Sequence, residues 1–338
     1  MHRSPGTTLG RLLPSRARGE RIVSVQDEAA TPSWETFLRK VQDPRLVAIL
    51  RIQTALLDEL QRFATERGFV QLMPILLSPF TDPLNHDVYP AEIEYRGRTL
   101  KLTASMIFHK QLALASGLDR IFIVSPNVRL EKLEIKESVS HLAEFSQFDF
   151  EIRDAGMEDV LSFLEELYLQ IFAALRQRCA GELAELGREL PELRAPFPRY
   201  RAADLRRQLG DGYYEAISLE TPGPCFLLDF EREFYDREDS ERPGTYRNFD
   251  MVYAQGYGEA LSGAEREHRY ADIVRRMERR GMPLAPYTAY LEVARRGALP
   301  PSAGAGIGIQ RLLRFLCGTD RIADVCLFDR SLSADFTF

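Results

Sequence analysis

A strand-like segment with strict alternation constrains the fold most strongly. From Phe145 to Ile152, apolar residues alternate with Gln147, Asp149 and Glu151. A period of two is typical of a β-strand with one buried face and one polar face. Further strand-like segments follow at irregular spacing, with helix-like segments between them. This pattern predicts an α+β fold with a mixed, mainly antiparallel sheet flanked by helices, rather than a doubly wound parallel sheet.

Apolar spacing and the positions of Gly and Pro predict the other elements. Apolar residues at steps of three and four indicate a helix over 44–67 that ends at Gly68. Pro74 interrupts the apolar strand 69–77, which is typical of an edge or interface strand. The remaining predictions are helices at 105–117, 157–178 and 264–280, a loop at 78–90, strands at 92–95, 99–102, 120–125, 226–230 and 249–254, and a glycine-rich strand-to-helix segment at 304–315.

Composition and charge exclude several classes of protein. The formal net charge of −6 argues against a surface dominated by phosphate-binding cations. No apolar run reaches membrane-spanning length, so we expect a cytoplasmic protein without membrane contact. The four cysteines lack the spacing of zinc ligands, which favours reduced structural thiols at Cys179, Cys225, Cys317 and Cys326.

The first ~30 residues are rich in Arg, Ser, Pro and Gly. A transit peptide can have this composition, but the apolar core of a secretion signal does not occur there. We therefore expect a disordered tail or a misassigned start over residues 1–33, followed by one catalytic domain over 34–338.

Polar residues next to the alternating strand form a first candidate site. The segment from Asn127 to Glu131 contains Arg129, and a charged loop then leads to His141 and strand 145–152. Two strands joined in this way would line one sheet face with Arg, Glu, Gln and Asp. An arginine there can hold an α-phosphate, although a solvated hairpin is the simpler explanation for the arginine alone.

Two later segments add further candidates. Asp250 and Glu259 lie on a predicted strand and turn and can hold Mg²⁺ together with substrate phosphates, while Arg266 can bind a substrate carboxylate. The segment from Gly304 to Arg311 is neither a Walker loop nor a dinucleotide fingerprint, but its glycines allow a helix to approach the sheet closely. Each segment alone has an ordinary explanation, in solvent exposure or in packing.

Taken together and in this order, the segments resemble motifs 1, 2 and 3 of class II aminoacyl-tRNA synthetases, in the aspartyl and asparaginyl subgroup. Motif 1 corresponds to the helix 45–67 with the strand to Pro74, a dimer-interface element in that family. Motif 2 corresponds to the block from Arg129 to Asp149, and motif 3 to the segment from Gly304 to Arg311. The resemblance covers roughly residues 45–330 and implies a homodimer.

The resemblance also implies roles for individual residues. It assigns Arg129 and Arg311 to the ATP phosphates as the catalytic pair, with four further ATP contacts at Glu131, His141, Phe145 and Glu259. Asp250 and Glu259 would bind Mg²⁺. The amino-acid substrate would be held by Ser105, Lys110, Gln147, Asp149 and Arg266. Lys110 and Arg266 match the two cations that recognise the aspartate side chain, which favours an anionic substrate over an amide.

The sequence departs from that family in four places. Only about 44 residues precede motif 1, too few for the OB-fold that reads the anticodon, so we expect no N-terminal OB domain, which disfavours tRNA as a partner. Ile107 replaces a usual Gln, Gln310 a frequent acid, and Phe328-Asp329-Arg330 the usual Phe-Pro-Arg. These replacements affect the expected orientation and identity of the amino acid.

Three stretches resemble the archaeal asparagine synthetase that is a truncated paralogue of asparaginyl-tRNA synthetase; they cover residues 77–84, 102–112 and 301–308. The resemblance implies that the enzyme uses ATP and Mg²⁺ to activate aspartate as an acyl-adenylate. Ammonia or another amine would then release AMP. The alternatives are transfer to tRNA, a carrier protein or a different nitrogen nucleophile, and a non-catalytic synthetase paralogue. The residues do not distinguish activation of the α-carboxylate from that of the β-carboxylate.

Overall fold

The computed structural model describes residues 33–132, 139–332 and 334. The predicted tail 1–33 lies outside this part of the chain, except that Ser33 begins the first helix. Residues 133–138 of the charged loop also lie outside it.

The described chain alternates irregularly between helices and strands. The helices are α1 Ser33–Val41, α2 Pro44–Glu66, α3 Ile107–Leu114, α4 Met157–Arg178, α5 Ala180–Glu185, α6 Ala202–Leu209, α7 Tyr213–Glu220, α8 Tyr270–Arg279, α9 Thr288–Arg295 and α10 Ile309–Cys317. The strands are β1 Val70–Gln71, β2 Leu77–Ser78, β3 Val88–Tyr89, β4 Glu92–Tyr95, β5 Arg98–Leu102, β6 Arg120–Val128, β7 Leu130–Glu131, β8 Glu144–Arg153, β9 Arg199–Arg201, β10 Cys225–Leu228, β11 Asn248–Tyr253, β12 Gly258–Glu265 and β13 Ser302–Gly308.

One large sheet organises the molecule. Its eight strands follow the order β1-β6-β8-β13-β12-β11-β10-β9. The outermost pairs, β1 with β6 and β10 with β9, are parallel, and the pairs between them are antiparallel. The predicted mixed, mainly antiparallel sheet flanked by helices is therefore confirmed. Smaller sheets join β2, β5 and β4 and pair β3 with β7, and none of the sheets in the described residues closes into a barrel.

Helices α4 and α10 pack on this sheet, and α2 packs against both of them. Asp43 caps α2 by accepting a hydrogen bond from the Arg45 backbone N–H at 2.9 Å, and Pro44 takes the first helical position. Gly68 adopts φ +78°, as expected for the glycine that ends this helix. The buried face of α2 packs into the main core through Ile49, Ile52, Leu56, Leu60 and Phe63.

A second apolar core lies around α3, α8 and α9. Phe108 is fully buried at its centre and contacts the rings of Phe80, Phe234 and Tyr290, with centroids 5.0 to 5.7 Å apart. This core fixes α3 beside β6 and β8, so residues of α3 reach the polar face of the sheet.

Several predicted boundaries were wrong. The strand 69–77 is reduced to β1 and β2, with residues 72–76 between them outside any strand, because Pro74 cannot donate a ladder hydrogen bond. The helix predicted over 264–280 starts only at Tyr270, because residues 258–265 form β12 and place the Ser262-Gly263 pair within a strand. Strand β6 runs on to Val128, helix 105–117 shortens to α3, and loop 78–90 contains β3.

All four cysteines are free thiols, and three of them are buried. In the described ranges, no helix combines the length and apolar character needed to cross a membrane.

Candidate active site

The polar face of the sheet forms the floor of a cleft of about 540 Å³. On β8, Phe148 and Phe150 point into the main core, whereas Gln147 and Asp149 line the cleft. The alternation predicted from the sequence explains this separation of apolar and polar side chains, because successive side chains of a strand point to opposite faces.

Glycines on the neighbouring strand make room for these polar groups. Gly304, Gly306 and Gly308 of β13 pair with Glu151, Asp149 and Gln147 of β8, in that order. A Cβ at position 304 would lie 2.3 Å from Glu151 Oε2, and a Cβ at position 306 would lie 2.7 Å from Asp149 Oδ1. The β8 carboxylates therefore occupy space that any other residue on β13 would fill.

All the site residues predicted from the sequence line this one cleft. They are Ser105, Lys110, Arg129, Glu131, His141, Phe145, Gln147, Asp149, Asp250, Glu259, Arg266 and Arg311. Long-range strand pairing brings them together, since they come from segments up to about 200 residues apart.

The two predicted phosphate-binding arginines lie at one end of the cleft. The guanidinium of Arg129 lies 5.1 Å from the centre of the Phe145 ring, and its Nε donates to the Ala104 carbonyl at 3.0 Å. Arg311 Nη1 lies 3.0 Å from a carboxylate oxygen of Glu259. Arg311 is the main reason that the pKa of Glu259 is lowered. This end combines two fixed guanidinium groups with an aromatic face.

Glu131 connects this end to the loop before β3. The imidazole Nε2 of His86 lies 2.9 Å from Glu131 Oε2. Burial alone would raise the pKa of Glu131, but His86, His141 and Arg129 outweigh burial and lower it. For His141, burial and then the charge of Arg311 lower the pKa, which favours a neutral imidazole. The sequence places His86 in the loop 78–90, and its contact with Glu131 is seen only in the structure.

The two predicted metal ligands are both engaged by protein groups. Asp250 accepts hydrogen bonds from Arg232 and Tyr214, and Glu259 pairs with Arg311 while its side chain remains 42% exposed. Within the described ranges, His, Cys, Asp and Glu form no group of three that could hold a metal by itself. Because Mg²⁺ at phosphate sites is bound by one or two carboxylates plus substrate oxygens, this pair fits an ion that arrives with a nucleotide.

The amino-acid end contains a buried quartet of charges. Lys110 Nζ lies 3.0 Å from Asp149 Oδ1, and also donates to the carbonyls of Phe150 and Ala305 at 3.3 and 3.4 Å. Arg266 Nε donates to Glu151 at 3.0 Å. Two cations and two acids leave this quartet without net charge.

The quartet changes what each predicted amino-acid ligand can do. The three ammonium protons of Lys110 already have three acceptors, and both carboxylate oxygens of Asp149 are occupied, the second by Ser125 at 2.8 Å. Arg266 retains its Nη1 donor, which lies 3.7 Å from Asp236. Gln147 accepts from Asn127 at 2.9 Å, and among the described residues no group accepts a hydrogen bond from its amide nitrogen.

Comparisons with known proteins agree on one family. The family model described as tRNA synthetases class II (D, K and N) matches residues 33–331. This chain belongs to that family. An aspartate–tRNA(Asp/Asn) ligase from Methanopyrus kandleri is 32% identical over 301 residues, which span 84% of this chain and 67% of the relative. An asparagine–tRNA ligase from Pelotomaculum thermopropionicum is 29% identical over 311 residues, with 86% and 71% covered.

The solved structures agree with the fold of this class II synthetase. Asparaginyl-tRNA synthetase from Pyrococcus horikoshii, solved with asparaginyl-adenylate, superposes with a TM-score of 0.79 at 24% identity. The match covers 90% of this chain and 74% of that one. The predicted subgroup and the predicted class of ligase are therefore confirmed at the level of the family.

Sequence reasoning missed several residues of the synthetase cleft. Arg232, Glu233 and Asp236 lie between β10 and β11, and Tyr214 lies at the start of α7. In the sequence, the run Arg-Glu-Phe-Tyr-Asp at 232–236 was the signal that could have identified them. Four of its five residues line the cleft.

Proposed function

We propose that this class II synthetase activates aspartate, or a close analogue, as an acyl-adenylate and transfers the acyl group to ammonia or another amine. The products would be asparagine or an asparagine-like amide, with AMP and pyrophosphate. The observation that carries the proposal is the convergence of Arg129, Arg311 and Phe145 on one cleft whose other end holds Lys110 and Arg266.

In the first step, a carboxylate oxygen of the substrate attacks the α-phosphorus of ATP and pyrophosphate leaves. Arg129 and Arg311 stabilise the negative charge that develops on the phosphate oxygens, and Phe145 stacks under the adenine. Glu131 and His141 contact the adenine side and the distal phosphates. Bound at Glu259 and Asp250 with the phosphates, Mg²⁺ would supply further charge stabilisation.

The amino acid lies over the glycines of β13. Arg266 offers its remaining Nη1 donor to a substrate carboxylate, while Lys110 holds Asp149 in place. Ser105 and the amide of Gln147 hold the polar groups at the α-carbon. Because the quartet is neutral, recognition of the anionic side chain rests mainly on hydrogen-bond geometry.

Two sources favour different acceptors for the acyl group. Ammonia or an amine is favoured by the resemblance to the archaeal asparagine synthetase, whereas the relatives found by comparison are named tRNA ligases. Transfer to tRNA, to a carrier protein or to another nitrogen nucleophile therefore remains the second candidate, and a non-catalytic paralogue the third. We also propose that the protein is cytoplasmic.

A product assay tests the proposal directly. Incubation with aspartate, Mg-ATP and ammonia should yield asparagine, AMP and pyrophosphate in equal amounts, read by mass spectrometry. Parallel reactions contain hydroxylamine, hydrazine or tRNA in place of ammonia. Acyl transfer to tRNA alone would favour the second candidate, and absence of AMP formation in every reaction would contradict adenylate chemistry.

We propose that two copies pair through the motif 1 region. The segment after β1 exposes a run of apolar residues, and Met73 is 85% exposed. Exposed apolar runs of this kind are typical of interfaces. The wild-type protein should sediment as a dimer, and Met73→Asp should shift it to a monomer. Leu219→Asp, at an apolar residue 71% exposed on α7, serves as the control and should leave the dimer intact; a monomeric wild type would contradict the prediction.

A further inference from the structure

One wall of the cleft carries acids that have no role in the scheme above. Glu233 and Asp236 follow β10, and Asp82 comes from the loop after β2. All three line the cleft and are at most 8% exposed. Buried acids normally have cations or several donors as partners, so their partners decide what this wall can bind.

Glu233 is the least satisfied of the three. Among the described residues, no group donates a hydrogen bond to its Oε2 atom, and Arg280 Nη1 forms an ion pair with that atom at 3.5 Å. Burial, followed by the charges of Asp82 and Asp236, raises the pKa of Glu233 to about 8, although Arg280 and Arg232 act in the opposite direction.

The neighbouring acids have neutral partners or shared cations. Asp82 accepts from the Tyr235 hydroxyl at 3.0 Å, and Asp236 accepts from Asn248 at 2.7 Å. Arg232 binds Asp250, and Arg266 is shared between Glu151 at 3.0 Å and Asp236 at 3.7 Å. The three carboxyl groups therefore have two direct cationic partners, Arg280 and the shared Arg266, and this wall carries more acids than cations.

We propose that Glu233, together with Asp82 and Asp236, forms a subsite for the ammonium group of the acceptor amine, and that Glu233 takes a proton from it. This inference rests on the proposed function. Aspartate and the acceptor each carry an ammonium group. Only the acceptor must lose a proton to react, because a protonated nitrogen has no lone pair. A carboxyl group with a pKa of about 8 is mostly protonated at pH 7, and its ionised form, a stronger base than an ordinary carboxylate, suits that task as the pH rises toward 8.

The transfer step then balances. A proton of the ammonium ion moves to Glu233 Oε2, and the freed nitrogen lone pair attacks the acyl carbon of the adenylate. The bond from the acyl carbon to the phosphate oxygen breaks, and AMP leaves with its electron pair. The protonated amide nitrogen finally loses its extra proton to water.

Binding can be tested without turnover. Crystals of the full chain are soaked in Rb⁺, a cation close to ammonium in size, and the anomalous signal is mapped. We expect a peak in contact with the Glu233 carboxylate in the wild type and its loss in Glu233→Gln. A wild type without such a peak, or a variant that keeps it, would overturn the subsite.

Kinetics separate the acceptor from the amino acid. Loss of a charged hydrogen bond costs about 1.5–3 kcal/mol, so Glu233→Gln should raise the KM for ammonium about tenfold or more. Aspartate-dependent ATP–pyrophosphate exchange should keep its KM for aspartate within about twofold. Glu233→Asp should recover part of the ammonium affinity, and Glu231→Gln, at an exposed neighbour, should match the wild type.

Two further outcomes have clear meanings. A raised KM for aspartate in the exchange reaction would show that the wall binds the α-ammonium group of the substrate, which overturns the assignment to the acceptor. If the wild type catalyses no exchange at all, the proposed function fails, and the Rb⁺ map still decides whether the cation subsite exists.

Discussion

Replacing Arg311 with alanine should lower the rate of aspartate-dependent ATP–pyrophosphate exchange by about 10²- to 10³-fold. The guanidinium lies in the cleft, 3.0 Å from Glu259, where it would meet the charge that develops on the phosphates. Arg129→Ala should have a similar effect, because Arg129 lies beside Phe145 at the same end of the cleft. Rates are measured at saturating ATP with labelled pyrophosphate.

Two controls make this result interpretable. Arg311→Lys keeps the charge but loses the planar fork, so its activity should fall between wild type and Arg311→Ala. Arg194→Ala removes an arginine whose side chain is 82% exposed and should leave exchange unchanged. Full exchange activity in Arg311→Ala, with an unchanged circular dichroism spectrum, would refute the phosphate role.

Replacing Glu151 with alanine should destabilise the protein by about 3–5 kcal/mol. Glu151 is fully buried and accepts hydrogen bonds from Arg266 at 3.0 Å and Ser302 at 2.9 Å, while Lys110 Nζ lies 3.6 Å away. Removing this carboxylate leaves two buried cations with one acid between them. The free energy of unfolding is measured by urea titration.

The matched control lies on the same strand. Glu144, at the start of β8, has a side chain 58% exposed and pairs with Arg330 at 3.6 Å. Glu144→Ala should therefore cost less than about 1 kcal/mol. Equal losses in the two variants would mean that the buried quartet contributes little to stability.

The sequence predicted the floor of the cleft well, because the period-two alternation of one strand decides which of its side chains face the cleft. Alternation from Phe145 to Ile152 placed Gln147 and Asp149 on the polar face, and the glycines from Gly304 onward indicated close approach. Both features are local, and both survive in the structure as β8 and β13. The family resemblance then selected the cleft residues on the other strands.

Contacts between distant segments could not be predicted in this way. Two of the three hydrogen bonds that Lys110 Nζ donates go to the carbonyls of Phe150 and Ala305, which lie 40 and 195 residues away in the sequence. His86 reaches Glu131 through the pairing of β3 with β7, and strands of two residues leave no period to read. Glu233 lies in a loop, where burial follows from the surrounding fold alone.

The bare glycine positions of β13 also bear on how this enzyme can change over time. Acids on β8 keep their place only while residues 304 and 306 lack a Cβ, so the two strands form one mutational unit. A lineage that shrinks Asp149 opens space in which a larger residue at position 306 becomes tolerable, and reversal then requires two simultaneous changes, whereas a Cβ at position 304 would still lie 2.1 Å from the backbone oxygen of Phe150. We therefore expect the substrate specificity of such a cleft to change in discrete steps that are seldom reversed.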